Sequence, residues 1–434
     1  MEVPLFRLSH MTAVEKDRLC VRTGVDLRDL VALVTPLVEK VRQFGDEAVR
    51  ELTSRFDGVD LPPTRFRVAP EELKESVKRL SPELREAMQV SIAHIKRFHE
   101  AQFHANDWQK EFSPGFLLGE KTVPIPSVGL YVPRGKGSFP SMMMMAGVPA
   151  KVAGVKRIVV VTPPDSAGLA DQATLAVAEL IGIDEVYAVG GVQAIAALAF
   201  GTETIPRVCK IVGPGSGYVL AAKQVVSAYV DTGLPAGPSE SIILADSTAD
   251  PVMAVIDLLI EAEHGPDSSA YLVTMDAELA AKALELIPPL ISSLPEPRAS
   301  FCREVFRSNG GVVLASDMDE AVDFINTFAP EHLQVLIQDP AGILDKVNYA
   351  GEVLLGSYTP GTLANYSLGP NAILPTSGFA RTSSSLSAWD FTRKMSYSML
   401  DEKAFSELAP KTLLLAEYEG FSAHARALKH RLQS

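Results

Sequence analysis

A chain of 434 residues, with 47% hydrophobic and 21% charged residues, is long enough to divide its apolar content between two or more cores. Its net charge of -13 opposes a phosphate backbone and no Lys/Arg block supplies a basic patch, so nucleic acid is not expected as a partner. Glu2, Arg7, Glu15, Lys16, Asp17 and Arg18 interrupt any apolar leader, and the stretch Met142 to Pro163 is broken by Pro149, Lys151, Lys156 and Arg157 short of a membrane span; a soluble, cytoplasmic protein is expected.

In chain order, residues 1–25 read as an irregular arm. Leu27 to about Glu111 reads as mainly helical, with Leu30, Val31, Leu33, Val34 and Val38 near helical spacing. From Val128 the texture changes to short β-branched runs: Val128–Val132, Arg157–Thr162, Glu185–Val189, Lys210–Val212, Ile242–Leu244, Tyr271–Thr274, Gly311–Leu314, Leu333–Ile337 and Glu352–Leu355. Ala-rich helical stretches separate them, and that alternation marks βα units and parallel sheets. One sheet of that length is unusual, so two are expected, with Gly233-Leu234-Pro235-Ala236-Gly237-Pro238 as a crossing between them. The tail from 386 reads as helical.

Cys20, Cys209 and Cys302 are odd in number and far apart, without a flanking histidine, and read as reduced thiols rather than a metal knuckle or nucleophile. No GxGxxG follows the first strand and no phosphate loop of the GxxxxGK[ST] type occurs. Three glycine turns follow strands instead: Tyr131-Val132-Pro133-Arg134-Gly135-Lys136-Gly137, Gly190-Gly191-Val192-Gln193 and Gly213-Pro214-Gly215-Ser216-Gly217. Each alone serves equally well to reverse the chain. Together they suit a nucleotide at the carboxyl ends of strands, where glycine admits close backbone approach.

Imidazole is the side chain that titrates near neutrality and also ligates zinc, so histidines beside oxygen donors stand out. Glu261 and His264 lie at i and i+3, on one helix face, just before Gly265-Pro266 ends the helix. They read either as metal ligands or as a histidine interacting with the helix-end carbonyls. Glu331-His332 follows Ala329-Pro330 and precedes an apolar strand. Adjacent side chains diverge, so this pair suits an acid and a base acting on one substrate better than a shared metal, and a surface pair is the alternative. Glu419 and His424 fall in the tail, where a solvated face is the ordinary reading.

Five strings then carry a resemblance: Ala-Gly-Pro238-Ser239-Glu240, Ala262-Glu263-His264-Gly265, Pro330-Glu331-His332-Leu333-Gln334, Tyr366-Ser367-Leu368-Gly369-Pro370-Asn371 with Leu374-Pro375-Thr376, and Glu419-Gly420 with Ala423-His424. In order and spacing the chain resembles the histidinol dehydrogenase family over essentially its whole length. Gly129-Leu130-Tyr131-Val132-Pro133 and Val148-Pro149-Ala150-Lys151-Val152-Ala153-Gly154-Val155 add two more matches.

The resemblance implies NAD-dependent oxidation of a primary alcohol through the aldehyde to the carboxylate, L-histidinol to L-histidine in the family, with zinc bound at each site. It implies His332 as the base that accepts the alcohol proton and Glu331 as the group that activates water for the second oxidation. It maps zinc onto Glu261, His264, Asn365 and His424, the last from the partner subunit of a homodimer with shared active sites. The family's carboxamide and carboxylate are exchanged here, Glu261 standing for the amide and Asn365 for the acid, so one acid and one amide remain. Tyr131 and Gln193 match cofactor contacts, and Ser216 stands where the family has Asn. Ser239 and Glu419 match substrate contacts, whereas Ala372 stands where the family supplies an imidazole. Arg134 and Lys136 place two cations in a turn that is mostly neutral in the family.

The implied fold is α/β, with two Rossmann-like parallel-sheet domains lacking GxGxxG, an N-terminal arm (1–25) and a helical tail (386–434). Residues 26–130 and 240–385 form the domain with the metal and catalytic residues, and 131–239 the inserted NAD-binding domain; arm and tail cross to the partner. Three functions follow: a histidinol dehydrogenase, a paralogue oxidising another small polar or anionic alcohol such as a hydroxy acid or sulfonated alcohol, with Arg134 and Lys136 meeting the anion, or a non-catalytic binding protein on the same scaffold.

Overall fold

Continuous β-branched runs become strands buried on both faces, which is why they do not alternate. The computed structural model describes residues 1–22, 27–104, 107–134 and 137–433. Its strands are β1 Leu5–Arg7, β2 Trp108–Ser113, β3 Phe116–Pro124, β4 Ser127–Tyr131, β5 Arg157–Val161, β6 Glu185–Tyr187, β7 Lys210–Val212, β8 Glu240–Ala245, β9 Ser269–Thr274, β10 Gly310–Leu314, β11 His332–Leu336, β12 Glu352–Leu355 and β13 Thr392–Leu400. All nine runs read from the sequence are among them, and every residue of β4, β8, β9 and β11 is buried.

Two parallel sheets result, in the orders β6-β5-β4-β7 and β1-β10-β9-β8-β11-β12. In each the chain moves outward from its first long strand and then returns to that strand's other side, between β4 and β7 and between β8 and β11. These are the reversals beside which open α/β sheets form crevices. β4, placed with the first domain by the sequence boundary at 130, is a central strand of the four-stranded sheet; an apolar run reads alike in either sheet.

The helix Leu27–Asp57 covers that same sheet. Its Leu30, Val34, Val38, Val41, Val49 and Leu52 pack with the helices Gly191–Phe200 and Gly217–Val226 in one core. It kinks at Gly45 (φ 53°), where an added Cβ would lie 2.3 Å from the Glu203 carboxylate. The arm is not irregular: β1 pairs in parallel with its own chain's β10, and Thr12 and Glu15 form a capping box on the helix Ala13–Leu19. Three strand residues are too few to show a period, so the sheet edge decides their conformation.

The chain divides into two compact units, residues 1–102 with 126–391 and residues 103–125 with 392–434. The second holds an antiparallel sheet, order β13-β3-β2, and the helices Glu402–Tyr418 and Ser422–Leu432. The tail is therefore part strand, against the wholly helical reading. Met395, Tyr397 and Met399 alternate along β13, a period-2 signal overlooked beside the longer helical pattern. Residues 386–391 belong to the first unit, with Leu386, Ala388 and Phe391 fully buried. Among the described residues no helix is long and apolar enough to cross a membrane.

Lys223 is buried and donates from Nζ to the Gly213 carbonyl at 2.5 Å; burial pushes its ammonium down to about 8. Between that value and the ordinary lysine value of 10.5 the unfolded chain holds a proton that the folded chain has lost, so stability rises with pH across this window. Lys223→Met should raise the melting temperature at pH 7 and abolish that rise, as thermal unfolding at stepped pH would show.

Candidate active site

The acid–base cluster gathers at the amino ends of β8 and β11, not at the carboxyl ends where an open α/β sheet usually binds its ligand. Crossover helices run back along their strands, so the helix Pro251–Ala262 returns Glu261 to this edge; its buried Leu258, Leu259 and Ala262 carry the Glu261 side chain inside at 3% exposure. In the turn that follows, His264 Nδ1 lies 3.0 Å from Glu261 Oε2 and 2.9 Å from Ser239 Oγ. The amide of Asn365 donates to Glu261 Oε1 at 2.8 Å. The i, i+3 spacing of Glu261 and His264 thus brings both to one point, and Asn365 and Ser239 join them.

His332 opens β11 and Glu331 is the last residue before it. The imidazole Nε2 is 3.9 Å from Glu261 Oε1 and 3.8 Å from Glu331 Oε2, beyond hydrogen-bond reach of either. Its Nδ1 lies 2.6 Å from Glu352 Oε1. Glu331 Oε2 accepts the backbone N–H of Glu240 at 2.9 Å. Glu240 is itself held by Arg22, whose Nε and Nη2 meet its two oxygens at 2.9 and 3.0 Å, and by the Ser377 N–H at 2.7 Å. Arg22 sits 3.9 Å over the Phe328 ring, so the end of the N-terminal arm braces the segment that bonds Glu331.

Charge is distributed unevenly among these buried groups. Burial alone would raise the Glu261 carboxyl, but His332 and His264 outweigh it and hold that carboxyl below the usual range. Burial dominates at Glu331 and pushes it well above the ordinary value, against the pull of His332. Burial would lower the His332 imidazole, yet Glu261, Glu331 and Glu352 raise it to about 10. Two adjacent carboxyls driven apart in acidity suit distinct proton roles.

The residues present fit a divalent cation. Glu261 Oε2 is buried without a hydrogen-bond partner, with His264 Nδ1 at 3.0 Å. An ionised oxygen left unpaired beside an imidazole is a ligand set in want of a cation. Among the described residues no three His, Cys, Asp or Glu side chains are gathered as a metal group, and the Asn365 amide lies on Glu261. His424 and Glu419 are exposed residues of the second unit, at the first turn of Ser422–Leu432 and the end of Glu402–Tyr418.

The cofactor candidates lie past the carboxyl ends of the four-stranded sheet. Tyr131 ends β4, and its hydroxyl accepts the Gly191 N–H at 3.3 Å; burial pushes that phenol up to about 12. Gly213 (φ 120°) must be glycine, since a Cβ would lie 2.1 Å from the Tyr131 carbonyl. Ser216 caps the helix Gly217–Val226 without a side-chain cap bond, leaving a helix start at the β4/β7 reversal. Gln193 is fully buried: its amide nitrogen donates to Asp57 Oδ2 at 3.1 Å and its Oε1 has no partner. Helix start and close glycine approach fit a dinucleotide.

Arg134 donates to the Leu169 carbonyl at 2.7 Å and pairs with Asp165 at 3.4 Å. Lys136 lies outside the described residues. Ala372 is buried in the segment that Asn371 ties to Met145 O and His99. Burial pushes the Cys302 thiol up to about 12, which keeps it from acting as a nucleophile. Sequence reasoning missed Glu352, Glu240 and Arg22. The signal for Glu352 was a carboxylate opening an apolar strand.

The histidinol dehydrogenase family model matches residues 21–432. The chain is 46% identical to a histidinol dehydrogenase of a Synechocystis species, covering 98% of each chain. It is also 46% identical to a histidinol dehydrogenase homolog of Colwellia psychrerythraea, over 99% of this chain and 96% of that one. The crystal structure of histidinol dehydrogenase from Elizabethkingia anophelis superposes with a TM-score of 0.90 at 35% identity, covering 99% of this chain and 98% of that one. Family match and shared fold converge: the chain belongs to the histidinol dehydrogenase family and is an NAD-dependent alcohol dehydrogenase.

Proposed function

We propose that the protein oxidises L-histidinol through the aldehyde to L-histidine, using NAD and one zinc ion per site. The observation that carries this reading is the convergence of Glu261, His264, Asn365, Glu331 and His332 at one sheet edge. Glu261, His264 and Asn365 would hold zinc together with His424 of a second copy; when bound, zinc supplies positive charge beside the substrate oxygen. Ser239 and Glu419 hold the substrate, and Tyr131, Gln193 and Ser216 attend NAD, with residues 131–239 as the NAD-binding domain.

His332 Nε2 takes the hydroxyl proton as the carbinol hydride leaves for NAD. Glu331 then takes a proton from the water that adds to the aldehyde, and the hydrate gives its hydride to a second NAD and its hydroxyl proton to the base, which has shed the first proton to solvent. The 3.8 Å gap between His332 Nε2 and Glu331 Oε2 leaves their facing atoms unbonded to each other and open to a substrate oxygen. Because only the second oxidation consumes water, Glu331→Gln should slow aldehyde oxidation more than alcohol oxidation. Single-turnover measurement of each half-reaction checks this, and equal losses in both would make Glu331 a structural residue.

The homodimer belongs to this reading. Leu414, Leu415, Tyr418 and Phe421 are exposed on the second unit, an apolar surface that a partner would cover.

A second reading is favoured by Ala372, which offers no polar group where the family has an imidazole. A paralogue acting on another small polar alcohol would keep NAD, zinc and the base and would oxidise histidinol poorly. Restoring the imidazole by Ala372→His, with Glu261→Gln and Asn365→Asp, should then raise histidinol turnover by about one to two decades, the worth of a hydrogen bond to a charged group. Unchanged or lower turnover in the triple variant counts against the paralogue.

A further inference from the structure

The imidazole that the proposed chemistry uses is fixed from behind by a carboxylate on the neighbouring strand. β11 and β12 are parallel, with His332 opposite Glu352 in register. Register partners on adjacent strands project to the same face. The register is locked at its start: Gly351 and Glu352 donate backbone N–H groups to the carbonyls of Pro330 and Glu331 at 2.9 and 3.0 Å. Gly351 has to be glycine, because a Cβ there would lie 2.5 Å from the Glu331 carbonyl oxygen. The Glu352 side chain is only 9% exposed, so it faces His332 across a nearly dry contact of 2.6 Å.

We infer that Glu352 is a positioning residue, which accepts the Nδ1–H of His332 and thereby fixes both the ring plane and the nitrogen, Nε2, that exchanges a proton with the substrate. An ionised carboxylate can only accept, so the contact keeps a proton on Nδ1 and makes Nε2 the atom through which the ring exchanges a proton with the alcohol. With Nε2 beyond hydrogen-bond reach of Glu261 and Glu331, the Nδ1 contact is what sets the ring's orientation. The inference rests on His332 being the base, and its test separates the two ideas.

Full-length protein with its zinc and NAD is compared as wild type, Glu352→Ala, Glu352→Gln and His332→Ala. Glu352→Ala should lower kcat by about 10- to 100-fold, the usual loss when an outer hydrogen-bond partner is removed, with KM and zinc content near wild type. Glu352→Gln keeps an acceptor and should stay within a few-fold of wild type. In protein labelled with nitrogen-15 at histidine, one Nδ1–H resonance, identified by its absence from His332→Ala, should disappear in Glu352→Ala and shift upfield in Glu352→Gln.

Wild-type kcat and an unchanged Nδ1–H signal in Glu352→Ala would overturn the inference. If Glu352→Ala does not fold, an unmoved resonance in Glu352→Gln overturns it equally. A wild-type protein that oxidises no alcohol sinks the functional reading alone, since the resonance still decides whether Glu352 holds the ring.

Discussion

Replacing His332 by alanine is expected to lower NAD-linked alcohol oxidation by about two to four orders of magnitude, the scale of a positioned general base. Nothing else in the cluster can take over the proton. Glu331 is assigned to the later, water-activating step, and Glu261 is held ionised by the two histidines, which makes it a poor proton acceptor. Zinc content should be unchanged, because His332 Nε2 stands 3.9 Å from Glu261 and is not among the proposed ligands. Steady-state kinetics with metal analysis on the same preparation checks both halves. A variant that loses zinc along with activity would move His332 into the metal site.

The second large effect concerns the tail. His424→Ala should abolish stoichiometric zinc and with it turnover, since the remaining Glu261, His264 and Asn365 leave one position of a four-coordinate site to water. If His424 serves the partner's site, an inactive His332→Ala chain and an inactive His424→Ala chain should complement when mixed as dimers. One of the two sites in a mixed dimer then carries neither defect, and random exchange returns about a quarter of wild-type activity. No recovery, in dimers shown to have exchanged, places His424 in its own chain's site. Truncation is the poorer test: cutting at 386 removes the buried Leu386, Ala388 and Phe391 of the first unit, and cutting at 392 strips β13 from the β3 edge.

Much of this site was legible in the sequence, and the reason is local. Glu261 and His264 are three residues apart, and Glu331 and His332 are adjacent, so chain connectivity alone keeps each pair together. The parallel strands were legible because burial on both faces leaves unbroken β-branched runs. What escaped the sequence depends on contacts between distant segments. Glu352 meets His332 only through the register of two parallel strands, and Arg22 reaches Glu240 across 218 residues of chain. The strand β3 gains its conformation from β13, whose partner residues lie some 270 positions away, and no local period in its own sequence announces that pairing. The pairing of Arg134 with Asp165 is likewise a contact between distant segments, which a cation in a glycine turn does not announce.

The account stands most directly on the stoichiometry of cofactor reduction. Purified full-length protein, loaded with zinc and given limiting L-histidinol with excess NAD, should form two NADH for each histidinol consumed and yield L-histidine as the product, without release of the aldehyde. Absence of NADH, or a single equivalent with the aldehyde accumulating, would contradict the assignment of Glu331 and His332 to two successive oxidations at one site.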